Sequence, residues 1–116
     1  MRRLTTYRSG RCLPVGAMFA LANAGAEEAA FRGILMDGLV SAVGVTGAVL
    51  IQAMAFGLVH YPHGLPNGTW GALLSGMYGL ILGLIRLRAG GILAPWLAHV
   101  ATDLTIFLLL LWWAVG

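Results

Sequence analysis

Val43-Gly44-Val45-Thr46-Gly47-Ala48-Val49-Leu50-Ile51-Gln52-Ala53-Met54-Ala55-Phe56-Gly57-Leu58-Val59-His60 carries no formal charge, and it lies within a longer uncharged stretch from Gly38 to Ile85. About 20 mostly apolar residues suffice for a helix to cross a bilayer. This segment is therefore read as a membrane span ending at Tyr61-Pro62. Comparable segments flank it: about Pro14 to Val40 before it, about Thr69 to Ile85 and about Ile92 to Ala114 after it. The loop His63-Gly64-Leu65-Pro66-Asn67-Gly68 and the break Ala89-Gly90-Gly91 separate the last three, as turn-forming residues do. Trp70, Trp96 and Trp112-Trp113 stand near span ends, where interfacial aromatics anchor. The expected fold is all-α, a polytopic membrane bundle of about four transmembrane helices with a polar site inside. Residues 1–13 form a basic N-terminal segment and 14–116 the transmembrane core.

The composition of the whole chain agrees. Of 116 residues, 59% are hydrophobic and 9% charged, whereas a soluble domain has roughly 45–50% and 25%. A water-soluble fold this small cannot hide so much apolar surface, and disorder requires the opposite composition. All seven basic residues are Arg, and Arg2, Arg3, Arg8 and Arg11 crowd the start. That cluster is a short head, not the basic stripe of a nucleic-acid-binding face, so no nucleic-acid partner is expected. It argues for a cytoplasmic N-terminus, against the weaker vote of Arg86 and Arg88. The expected setting is a multi-pass protein of a bacterial cell membrane, with the lipid bilayer as a partner. Cys12 stands alone and reads as an inert small hydrophobe. Gly71, Ser75, Gly79 and Gly83 put small residues along one face of the third span, where a neighbouring helix packs closely.

Charges within such spans are costly and mark function by default. Glu27, Glu28 and Arg32 interrupt the first apolar segment and Asp103 the last. Residues four apart lie about 40° from one another around a helix. Glu28 can therefore pair with Arg32, His99 shares a face with Asp103, and Phe56 shares one with His60. Glu27 is turned about 100° from Glu28 and faces something else. Asp37 is read as bordering the first helix near the surface, and His63 as a solvated loop residue. One spare carboxylate and two histidines on three helices have a common interior available. Peptide hydrolysis needs such a set: a base for water and donors for the oxyanion. Neither G-x-S-x-G nor H-E-x-x-H occurs, so neither a serine nucleophile nor a zincin site is indicated.

Glu27-Glu28-Ala29-Ala30-Phe31-Arg32-Gly33 resembles the EExxxR motif of the CPBP family, the CAAX-processing and bacteriocin-processing intramembrane proteases of the ABI domain type. Phe56-Gly57-Leu58-Val59-His60 resembles the family's FxxxH motif, and His99-Val100-Ala101-Thr102-Asp103 its HxxxN or HxxxD motif. The three occur in order, each on its own apolar segment, across about Ala22 to Leu108. The resemblance implies an intramembrane endopeptidase acting on a membrane-proximal or lipid-modified, CAAX-type peptide. It implies Glu27 as the base that activates water, His60 sharing that water, and Glu28 with Arg32 organising the site or also engaging the substrate's carboxyl end. His99 and position 103 would form the oxyanion hole. Position 103 is Asp where the eukaryotic type II CAAX prenyl endopeptidases have Asn, and an ionised Asp donates nothing. Asp103 is then either protonated or there to orient His99.

The resemblance favours a metal-free glutamate mechanism, with no cofactor. Zinc is the alternative, held by His60, His99 and either Glu27 or Asp103, a three-ligand-plus-water composition. A different class of function uses the same fold: a non-catalytic membrane scaffold or bacteriocin self-immunity protein that binds a partner peptide or enzyme. A proton- or ion-conducting role would also use buried Glu and His.

Overall fold

The computed structural model describes residues 2–115, with side chains from 10 to 114. The side chains of Arg2, Arg3 and Arg8 in the basic head thus lie outside the described residues. The element order is α1 (Arg2–Glu28), a π-helical stretch (Ala29–Leu35), α2 (Met36–His63), α3 (Gly68–Ala89) and α4 (Leu93–Val115). No strand occurs among the described residues. Three helical runs are long and apolar enough to cross a membrane: Gly10–His63, Gly68–Ala89 and Leu93–Ala114.

The first of these runs is 54 residues long, and it contains both of the first two segments expected from sequence. No polar loop separates them. Instead α2 leaves helical geometry at Gly44, with φ 75° and ψ 173°, and the chain doubles back. Phe31 lies edge-on against Phe56 with centroids 5.1 Å apart, and Met36 packs with Ala48 and Val49. A straight helix rising 1.5 Å per residue could make neither contact. The limb before Gly44 and the limb after it are antiparallel neighbours. The backbone region at Gly44 is open essentially to glycine alone, and a side chain there costs about 1–3 kcal/mol. Gly44→Ala is expected to destabilise the folded protein by that amount; an unchanged thermal unfolding midpoint in micelles would contradict it.

Asp37 was expected to border the first helix. The helix runs on past it, and Asp37 instead accepts two hydrogen bonds from Arg86 Nη2, at 3.1 and 2.9 Å, tying the start of α2 to the end of α3. The second segment, expected to stop at Tyr61-Pro62, runs on to His63 with Pro62 in its last turn. Gly90, in the left-handed region, ends α3 with its N–H on the Arg86 carbonyl, as glycine caps do.

Helices pack in two antiparallel pairs, α1 with α4 and α2 with α3. Small residues bring each pair close. Ala20 and Ala24 of α1 are buried against Val100 of α4. The small-residue face of α3 packs on α2 within the chain: Gly79 meets Phe56 and Ala53, and Gly83 meets Gln52. A Cβ on Gly57 would come 2.5 Å from the Ala72 carbonyl oxygen. The outside is apolar, with Ile34, Trp70, Trp112 and Trp113 among the exposed large side chains. That is the surface expected where lipid is the solvent.

Candidate active site

Five intramembrane groups meet where the two pairs join: Glu27, Glu28, Arg32, His99 and Asp103. Arg32, fully buried, donates from Nη1 to Glu28 Oε1 at 2.9 Å. Its Nη2 donates to the Gly79 carbonyl at 3.3 Å, and its guanidinium lies over the Phe56 ring at 4.4 Å. Glu28 Oε1 also accepts from His99 Nδ1 at 2.7 Å. Because a carboxylate can only accept, the proton in that bond belongs to Nδ1. The opposite ring edge of His99, Nε2, faces Glu27 Oε2 at 3.5 Å and Asp103 Oδ1 at 3.6 Å.

The π-helical stretch explains the handover. Its wider turn begins directly after Glu28, so the acidic pair ends the segment that packs on α4. Arg32, inside the wide turn, already faces α2 and α3. π-helical segments of this kind occur mostly at functional sites. Glu27 and Glu28 then differ as the helix spacing predicts. Glu28 is fully buried and paired, whereas the Glu27 side chain is about 25% exposed. Even so, its Oε2 is buried and makes no hydrogen bond. A carboxylate oxygen in that state lacks the partner that buried polar atoms normally have.

His60 reaches the same place from α2. Its Nδ1 donates to the Phe56 carbonyl at 2.7 Å, since a carbonyl accepts only, and in the neutral ring Nε2 is left as an acceptor. The Phe56 ring is 4.5 Å from the His60 ring and 5.9 Å from the His99 ring. Simple alternation of spans would leave His60 and His99 at opposite membrane faces. The structure avoids this because His99 lies well inside α4, level with Phe56, one turn below His60. A cavity of about 250 Å³ has His60, His99 and Asp103 in its wall. Glu27 meets it through His99 and does not line it.

Sequence reasoning missed several residues here. Tyr78 of α3 stands edge-on to His99, with centroids 5.8 Å apart, and its hydroxyl lies 2.6 Å from Thr102 Oγ1. Both line the cavity, as does Ser75. Gln52, fully buried, joins Arg32 on the Gly79 carbonyl at 2.9 Å. Asn23 donates to Asp103 Oδ2 at 3.2 Å. Each is an uncharged polar residue in an apolar run; Asn23 lies four residues before Glu27 and so shares its face.

Among the described residues, no three His, Cys, Asp or Glu side chains converge as a metal site requires. Of the candidate zinc ligands, His99 has Nδ1 committed to Glu28 and offers Nε2 alone, which faces Glu27 at 3.5 Å and Asp103 at 3.6 Å.

The chain is thus an all-α membrane bundle with a Glu-Arg-His cluster buried where its helix pairs meet. The family model described as type II CAAX prenyl endopeptidase Rce1-like matches residues 9–105, and the chain belongs to that family. The match takes in all three motifs and agrees with the CPBP resemblance read from sequence. No curated protein and no solved structure matches the chain.

Proposed function

We propose that the protein is an intramembrane endopeptidase that hydrolyses a membrane-proximal, lipid-modified peptide of the CAAX type by a metal-independent glutamate mechanism. One observation carries this reading. Glu27 Oε2 is a buried carboxylate oxygen without a hydrogen bond, 3.5 Å from an imidazole edge. A water placed against both groups gives its proton to Glu27, and the hydroxide so formed attacks the scissile carbonyl. The electron pair moves onto the carbonyl oxygen, to which His99 Nε2 donates in the imidazolium form, since Nδ1 already carries the proton shared with Glu28. Collapse of the tetrahedral species breaks the C–N bond, and Glu27 returns the proton to the leaving amine. His60 Nε2 accepts from the same water. Glu28 and Arg32 fix His99 through Nδ1 and do not themselves meet the substrate.

Family membership supports a peptide substrate. The largely apolar wall of the cavity, with Phe19, Ile106, Phe107 and Leu110, supports a lipid-modified one. Protein in liposomes is expected to release a C-terminal tripeptide from a farnesylated CAAX peptide, detected by mass spectrometry. Cleavage should persist after exhaustive chelation. Loss with chelator and recovery with stoichiometric zinc would overturn the metal-free mechanism. If no peptide is cut and the cellular phenotype survives Glu27→Ala, the protein is a scaffold or immunity factor.

A further inference from the structure

Asn23 and Glu27 are four residues apart on α1, and His99 and Asp103 are four apart on α4. The two faces meet as a two-rung ladder. Glu27 Oε2 faces His99 Nε2 at 3.5 Å on one rung, and Asn23 Nδ2 donates to Asp103 Oδ2 at 3.2 Å on the other. The diagonal closes it: Asp103 Oδ1 stands 3.6 Å from His99 Nε2. Glu28 Oε1 also holds His99 Nδ1 at 2.7 Å, a link on the opposite ring edge that leaves Asp103 unaddressed; the remaining links between these helices fix less. Ala20, Ala24 and Val100 pack as small apolar surfaces, which tolerate sliding. The bond from Trp96 Nε1 to the Leu21 carbonyl is exposed and touches neither Glu27 nor Asp103.

We infer that Asn23 is a positioning residue for the reaction, resting on the endopeptidase reading given above. Its amide N–H occupies one oxygen of Asp103 and so fixes the rotation of that carboxylate. The other oxygen is then turned toward His99 Nε2, and α1 is held at the height where Glu27 meets the imidazole. The same bond assigns Asp103 its part. With Oδ2 accepting from an amide, Oδ1 is the oxygen left facing the imidazole, and Asp103 orients His99. An Asn in the middle of a membrane helix has few partners to choose from, and here the partner is a carboxylate of the site.

The test compares Asn23→Ala, Asn23→Asp and the exchanged pair Asn23→Asp/Asp103→Asn, using cleavage of the farnesylated peptide in liposomes. Asn23→Ala is expected to lower kcat about tenfold with KM within about twofold, the pattern of an interaction realised in the transition state. Asn23→Asp opposes two carboxylates and should be slower still. The exchanged pair restores an amide–carboxylate bond with its partners reversed, and should recover most of the lost rate. An Asn23→Ala enzyme with wild-type kcat, or an exchanged pair as slow as Asn23→Ala, overturns the inference. If Asn23→Ala does not fold, the exchanged pair decides alone: folded and active supports the inference, anything else refutes it. A second readout needs no activity. In a Cys12→Ser background, cross-linking of Ala20→Cys to Leu104→Cys by a short bis-thiol reagent reports the α1–α4 register. Adding Asn23→Ala should slow it about threefold and the exchanged pair should restore it; no change refutes the clamp. If wild type cuts nothing yet cross-linking responds, the endopeptidase reading fails and the α1–α4 clamp stands.

Discussion

Glu27→Gln is expected to lower kcat for cleavage of a CAAX-type peptide by about 10²–10⁴-fold, the usual contribution of a positioned general base. The substitution keeps the size and shape of the side chain and removes the basic oxygen. It should leave the fold intact, because Glu27 is part-exposed and its only ionic contact is with His99 at 3.5 Å. KM should change little, since the carboxylate acts on water and on the developing charge. The thermal midpoint of purified Glu27→Gln in micelles is the control. A variant that is folded and fully active would remove Glu27 from the mechanism. The neighbouring Glu28→Gln should behave differently, with activity and stability falling together, because Glu28 holds both Arg32 and His99.

Arg32→Met should produce the largest loss of stability of any single change at the site, about 3–5 kcal/mol, because it strands a buried carboxylate. Glu28 has 0% exposure and Arg32 has 0% exposure, so no solvent is available to take over from either partner. The loss extends beyond the ion pair. The Gly79 carbonyl gives up one of its two side-chain donors, keeping only Gln52, and Phe56 loses the cation over its ring. The double variant Glu28→Gln/Arg32→Met should be more stable than Arg32→Met alone, since it leaves no uncompensated charge in the bundle. Unfolding in mixed micelles titrated with SDS measures both. A single variant as stable as wild type would mean that Glu28 is neutral and the pair is not an ion pair.

The chemistry-bearing residues were legible in the sequence because charge in an apolar helix has so few options. Glu28 had to find Arg32 one turn on, and the pairing is present at 2.9 Å. His99 and Asp103 share a face for the same reason. The depth of the histidines was not legible, because it depends on where α4 starts relative to α2. The turn at Gly44 was equally hidden. One glycine among Val43, Val45 and Gly47 carries none of the Pro, Asn or Asp signals of an ordinary loop, and its positive φ becomes visible only in the backbone. Asn23, Gln52 and Tyr78 escaped because attention to formal charge passes over neutral polar groups. Applying the same four-residue spacing to Asn23 and Glu27 would have found the first of them.

The π-helical stretch between Glu28 and Met36 divides the molecule by inheritance as well as by geometry. The described part of α1 before it packs on α4, and α2 after it packs on α3. The groups proposed to move protons, Glu27 and His99, and the pair proposed to aim them, Asn23 and Asp103, all sit on the α1–α4 side. Ser75 and Tyr78, and the Phe56 ring with His60 above it, are contributed by the other pair and shape the chamber. Phe19, Ile106, Phe107 and Leu110 shape the same chamber from the α1–α4 side, so sequence drift in either pair can recast which peptides fit. Arg32, whose two guanidinium ends reach into both halves, and Tyr78, whose hydroxyl crosses from α3 to Ala98 and Thr102 of α4, are bound to serve each lineage at once.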